Sequence, residues 1–174
     1  LVHQKLGGQA IQFFPGVSYR HTMVWRNGPG DVKCYEPYKF INEPLQTHLP
    51  EGDGEEKLRS LIWDSLEILD NHPINRQRKD QGLQPANMVW FWGQGRIPDM
   101  PSFFAKYGKT GSVVAAVDLV RGIGRIVGLD VVDVPGATGY IDTNYLGKGE
   151  MGFQALAEKD FVFVHVEAAD EAGH

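Results

Sequence analysis

From Glu55 onward, Leu58, Leu61, Ile62, Ser65, Leu66 and Leu69 recur three and four residues apart, with Arg59, Asp64, Glu67 and Asp70 mostly on the opposite side. That period predicts an amphipathic helix. Its end is expected near Asn71-His72-Pro73, because proline pushes the residue before it out of the helical region. Upstream, Ala10 to Phe14 and Tyr19 to Trp25 read as strands separated by the turn residues Pro15-Gly16, and Val32 to Tyr35 as a returning strand after the turn Asn27-Gly28-Pro29-Gly30-Asp31. Leu1 to Gly8 is expected to be the tail of a helix. Pro37 to Gly54, with three prolines and little periodicity, is expected to be a surface loop, and so is the polar stretch Ile74 to Asn87. Met88-Val89-Trp90-Phe91-Trp92 is apolar enough to predict a buried strand.

After Arg96-Ile97-Pro98 the pattern changes to short apolar runs alternating with helical periods. Ser102 is placed to cap a short helix ending at Gly108, Ser112 to Val117 predicts a buried strand, and Asp118 opens a helix toward Val127. Val131 to Val134 predicts a strand closed by Pro135-Gly136-Ala137-Thr138-Gly139, Met151 to Glu158 a helix, and Phe161 to Val166 a central strand buried on both faces. Such alternation implies an α/β fold with a parallel sheet covered by helices. The style of the chain thus changes near residue 97.

Composition narrows the class. Of 174 residues 42% are hydrophobic and 22% charged, which suits an ordinary globular protein. A formal net charge of −5 supplies no basic footprint for nucleic acid, and no apolar run is long enough for a membrane helix. Cytoplasm is the expected location, since Cys34, the one cysteine, forms no internal disulfide and reads as a small half-buried residue. The chain opens on Leu1 and stops at His174, so a fragment of a longer enzyme is expected.

Candidate chemistry concentrates at the end. Directly after the Phe161 run come Glu167, Asp170, Glu171 and His174, at what should be the carboxyl end of a strand, where open α/β sheets bind ligands. Asp170 and His174 are four apart and would share one face of a helical turn, offering an oxygen and a nitrogen to one cation. That donor pair suits manganese or zinc better than magnesium or calcium. Two ligands are too few for a catalytic site, so others must lie elsewhere. Arg76, Arg78 and Lys79 form a basic run that could fork onto a phosphate or a carboxylate but is more often a solvated surface. Arg20 and His21, adjacent on a predicted strand, would face opposite sides. Gly122, Gly124 and Gly128 do not make a dinucleotide fingerprint, because Asp118-Leu119-Val120-Arg121 separates them from the preceding strand and their spacing is one residue too long.

Five stretches taken together resemble the archaeal-type cofactor-independent phosphoglycerate mutases of the alkaline phosphatase superfamily. They are Pro15 to His21, Trp90 to Gly95, Ala116 to Gly124, Val134 to Tyr145 and His165 to His174. The resemblance implies an enzyme interconverting 3-phosphoglycerate and 2-phosphoglycerate through a phosphoserine, with two divalent metal ions, manganese first and magnesium or zinc as alternatives, and without 2,3-bisphosphoglycerate. It implies that residues 1–96 are an inserted α+β substrate-binding lid and that 97–174 are part of an alkaline-phosphatase-like core. Asp170 and His174 match two ligands of one metal. Arg20, His21, Arg76 and Arg121 are the expected contacts to a small phosphorylated carboxylic acid, Arg121 matching a basic position beside the phosphate. Some relatives carry His-Asp where this chain has Gly30-Asp31. The serine nucleophile and remaining ligands would lie outside the chain, so these 174 residues alone are expected to be inactive. The alternatives are another phosphotransferase on the same core, or an inactive substrate-binding fragment.

Overall fold

The computed structural model describes residues 1–16 and 20–173. The chain divides into two compact units, Leu1–Ile97 and Pro98–His174.

The first unit is assembled on the long helix predicted from periodicity, α2 (Glu55–Asp70), after a short helix α1 (Val2–Leu6). Leu58, Leu61, Ile62 and Ser65 form its buried face. Leu58, Leu61 and Ile62 join Ile11, Val32 and Phe91 in one core, with Phe13, Met23, Trp25 and Trp90 packed around it. An antiparallel hairpin, β1 (Ile11–Phe14) and β2 (Thr22–Trp25), contributes to this core, with Ile11 opposite Trp25 and Phe14 opposite Thr22. Gly54, just before α2, has φ of 85°, and a Cβ there would stand 3.1 Å from the Trp25 ring, so both conformation and space require glycine.

Four sequence expectations change here. Val32 to Tyr35 forms no strand, only an isolated bridge between Lys33 and Glu51, and the Pro37 to Gly54 loop contains two 3₁₀ turns, Pro37–Lys39 and Leu45–His48. Residues 88–92 are not a strand either. Their hydrogen-bonding groups go to single partners instead of a ladder: the Val89 N–H donates to Ser65 Oγ (2.9 Å) and the Trp90 indole donates to the Tyr35 carbonyl (2.8 Å). Apolar burial did not require a sheet. The polar stretch after Pro73 is in part a helix, α3 (Pro73–Asp80), capped by His72, whose Nδ1 accepts from the Ile74 N–H. Proline that ends one helix also suits the first turn of the next. Asn75 is buried and ties α3 down by donating to the Leu69 and Ala86 carbonyls and accepting from the Ala86 N–H.

The second unit holds α4 (Phe103–Tyr107), β3 (Gly111–Val114), α5 (Asp118–Ile126), β4 (Asp130–Val132), α6 (Tyr145–Ala155), β5 (Phe161–Val164) and α7 (Ala168–Gly173). As predicted, Ser102 caps α4 by accepting from the Ala105 N–H, and Gly108 ends it with φ of 64°. The sheet is parallel in the order β4-β3-β5, with β3 buried throughout. A Cβ on Gly124 would collide with Val113, and one on Gly152 would lie 2.8 Å from Val164 and 4.0 Å from Val114. Successive strand residues point to opposite faces. Gly124 of α5 therefore sits on one face of the sheet and Gly152 of α6 on the other, and Gly124 serves helix packing, not a nucleotide.

Two further expectations are corrected in this unit. Helix α6 begins six residues before the predicted Met151, because Asn144 caps it, its Oδ1 accepting from the Gly147 N–H at 2.9 Å. Among the described residues strand β5 is at the sheet edge and not central, and Phe161, Phe163 and Val164 are exposed. Its apolar run fits a two-faced burial that the described residues do not supply.

Candidate functional site

The carboxyl edge of the three-stranded sheet carries the candidate chemistry of the second unit. After β3 the chain passes Ala115 into α5, after β4 it makes the long turn 133–144, and after β5 it runs through His165 and Glu167 into α7. The β3–β5 ladder extends one residue past β5, with the His165 N–H donating to the Val114 carbonyl at 2.8 Å. This extension holds the β5–α7 junction against the most buried strand. The Asp170 N–H then donates to the Glu167 carbonyl at 2.9 Å. Asp170 is an exposed residue in the third position of α7. Its expected partner His174 lies outside the described residues.

Arg121, on α5, is fixed at the same edge. Its guanidinium donates to the Ala115 carbonyl at 3.2 Å and forms a 2.6 Å ion pair with Asp133, the residue after β4. Helix α5 thus brings a cation back over the end of β3, and Asp133 sets its orientation. The fork keeps further N–H donors beyond these two bonds.

Arg20, His21 and Arg76 belong to the first unit. Arg20 and His21 were expected within a strand, but both precede β2. His21 Nδ1 accepts from the Gly16 N–H at 3.1 Å, so the imidazole closes the hairpin connection. Arg20 is exposed. Arg76 is an exposed residue of α3 rather than of a loop, four residues after the capping His72.

One residue that pattern reading passed over stands out. Lys148 of α6 is 1% exposed, the most buried charged residue among those described. Its Nζ donates to the Thr138 carbonyl at 3.3 Å, and burial lowers its pKa, opposed by the charge of Glu167. Among the described residues, Glu167 Oε2 and His165 Nδ1 are buried and have no hydrogen-bond partner. The signal was available in spacing: Lys148 is four residues before Gly152 and so shares the face of α6 that packs on the sheet.

Divalent cations favour carboxylate oxygen, and Asp170 is a donor of that kind. Among the described residues, however, no three histidine, cysteine or acidic side chains converge enough to hold a metal ion. A shallow depression of about 290 Å³ beside Asp130, Met151 and Lys159 contains none of the predicted site residues. No helix of the described residues is long and apolar enough to cross a membrane.

Comparison with known proteins gives this edge its context. A probable 2,3-bisphosphoglycerate-independent phosphoglycerate mutase of Geobacter sulfurreducens is 52% identical over 97% of this chain, and a 2,3-bisphosphoglycerate-independent phosphoglycerate mutase of Methanosarcina acetivorans is 47% identical over 98%. The chain spans 42% and 43% of those two proteins. Among solved structures, the PH0037 protein of Pyrococcus horikoshii matches with a TM-score of 0.63 at 37% identity, over 68% of this chain and 32% of that one. The cofactor-independent phosphoglycerate mutase of Thermoplasma acidophilum matches with a TM-score of 0.60 at 23% identity, over 96% of this chain and 47% of that one, a likeness of fold. The parallel sheet, its crossover helices and the family pattern found across residues 35–174 agree: the chain belongs to the Metalloenzyme superfamily.

Proposed function

We propose that the chain is the central part of a metal-dependent phosphoglycerate mutase, interconverting 3-phosphoglycerate and 2-phosphoglycerate in glycolysis and gluconeogenesis in the cytoplasm through a phosphoserine. The observation that carries this reading is the 52% identity, sustained over 97% of the chain, to a protein described as a probable mutase of this kind. Residues 1–96 would form the substrate-binding lid and 97–174 part of the phosphotransferase core.

In this reading Asp170 contributes one ligand to a divalent cation, manganese first, and His174 a second, with the remaining ligands and the serine outside these 174 residues. Such a cation, when bound, stabilises the charge that develops on a transferring phosphoryl group. The Arg121 guanidinium, oriented by Asp133 and the Ala115 carbonyl, offers its remaining donors to a phosphate at the sheet edge. Arg20, His21 and Arg76 are the lid groups that would meet the substrate's phosphate and carboxylate. Fixed guanidinium groups suit that task because they bind both anions in a fork and keep their charge when water is excluded.

The test is conversion of 3-phosphoglycerate by the full-length protein with manganese, measured by coupled assay. Asp170→Ala should lower the rate by several orders of magnitude together with manganese stoichiometry. Arg20→Lys should retain the fold and cost about 2–3 kcal/mol in kcat/KM, because the fork is lost. The isolated 174 residues should be inactive. A full-length protein that turns over some other phosphoester but no phosphoglycerate would overturn the mutase reading.

A further inference from the structure

Lys148 raises a question that ordinary packing does not answer. An ammonium taken out of water carries a large desolvation cost, and buried charges persist where an opposite charge or good hydrogen bonds compensate them. Its one hydrogen bond among the described residues, 3.3 Å to the Thr138 carbonyl, is at the long end of the useful range. Glu167 is the opposite charge acting on it. Glu167 has its own unmet need, since Oε2 is buried without a hydrogen-bond partner among the described residues. The Thr138 turn meets both groups: Thr138 receives the Lys148 bond, and a Cβ on Gly139 would lie 3.4 Å from Glu167 Oε2. Lysine, turn and carboxylate therefore form one cluster drawn from α6, the 133–144 segment and the β5–α7 junction.

The position of Glu167 gives the cluster its consequence. Its carbonyl accepts from the Asp170 N–H, so whatever fixes Glu167 fixes the first turn of the helix that carries Asp170. We infer that Lys148 is a positioning residue: its buried ammonium compensates the Glu167 carboxylate and thereby holds the β5–α7 junction in the conformation that presents Asp170. The pairing acts at a distance, through Coulomb attraction in a water-poor environment, where attraction between unit charges is several times stronger than in solution. Its functional meaning rests on the reading of Asp170 as a metal ligand. The positioning itself does not.

The mechanism predicts non-additivity. Lys148→Met keeps the length and apolar stem of the side chain but strands a buried carboxylate, and Glu167→Gln strands a buried ammonium. Each should loosen the junction. Removing both charges together should restore it, because a buried pair can be replaced by neutral groups at little cost whereas breaking it is expensive.

The test is amide hydrogen exchange in the metal-free full-length protein, paired with manganese titration. Lys148→Met should accelerate exchange of the Asp170 amide at least tenfold, leave the Val113 and Val114 amides of β3 unchanged, and weaken manganese binding about tenfold. Glu167→Gln, which serves if the methionine variant does not fold, should accelerate the same amide. The double variant should return both quantities to within about threefold of the parent. Acceleration of β3 and Asp170 amides alike would reduce Lys148 to a general fold contributor, and additive effects in the double variant would sever it from Glu167. Either result overturns the inference. Asp170→Ala separates the two readings: parental manganese binding in that variant removes the metal role of Asp170 while leaving the exchange result to judge Lys148.

Discussion

Two glycines on one helix should respond to the same substitution with opposite signs. Gly122 and Gly124 both lie within α5, where alanine is preferred over glycine by about 0.8–1.0 kcal/mol. A Cβ on Gly122 meets nothing within 4 Å, so Gly122→Ala should stabilise the second unit by nearly that amount. A Cβ on Gly124 would overlap Val113 Cγ1 and lie 3.3 Å from its Cβ. Val113 cannot easily yield, being 1% exposed, on the central strand and branched at Cβ. Overpacking of this kind costs about 1–3 kcal/mol, and two close contacts with one stiff side chain argue for the upper end. After subtracting the helical gain, Gly124→Ala should destabilise by about 2 kcal/mol, so the two variants should differ by about 3 kcal/mol. Tryptophan fluorescence is the wrong assay, because Trp25, Trp63, Trp90 and Trp92 all lie in the first unit. Exchange of the Val113 and Val114 amides reports the second unit directly, and about 3 kcal/mol corresponds to roughly a hundredfold between the two variants. Equal shifts in the same direction would refute the account of α5 docking through Gly124.

Ser65→Ala should cost about 1–3 kcal/mol in urea unfolding followed by tryptophan fluorescence, since it removes the bond to the Ile62 carbonyl and leaves the Val89 N–H without its acceptor. Asn144→Ala should destabilise the second unit by about 1 kcal/mol through loss of the α6 cap, visible as faster exchange at Gly147. Asp160 accepts from the Thr110 N–H and hydroxyl and pairs with Lys109, and the Thr110 backbone bond is the chief cause of its lowered pKa. A lowered carboxylate pKa contributes stability above the unfolded-state value, lost as pH falls through the folded value. Acid titration of Asp160→Asn should therefore show less loss of β5 protection below about pH 4 than the parent does.

Where a segment's role depended on local period, the sequence announced it. The α2 stripe, the Ser102 cap, the buried β3 run and the Asp118 helix start are all local features. Segments 88–92 and 161–164 misled for a shared reason: apolar content reports the need for burial, not the element or the neighbours that satisfy it. Val89 meets Ser65, 24 residues away, and β5 stands at an edge, and neither fact is written in its own residues. Helix α3 was hidden by a proline that signals both an end and a beginning. At the candidate site the spacing of the proposed ligands Asp170 and His174 was visible because it lies in the sequence itself. Lys148 carried a signal only in its spacing of four from Gly152, which is read once α6 is seen to pack on the sheet, because charge along a sequence suggests solvent.

The strand order also dictates when the second unit can assemble. The most buried strand, β3, comes first in sequence, and its two neighbours come later: Ser112 pairs with Asp130, whereas Gly111 pairs with Phe161, fifty residues on. The ordering cost of closing that segment falls due before the pairing rewards it. During synthesis β3 must therefore emerge and wait, first for β4 and then for β5, while the hairpin and α2 of the first unit already have their partners. The contacts within residues 1–97 thus need nothing made after them, whereas the sheet of the second unit waits on β5, the Asp160 to Thr110 bond and the His165 to Val114 bond.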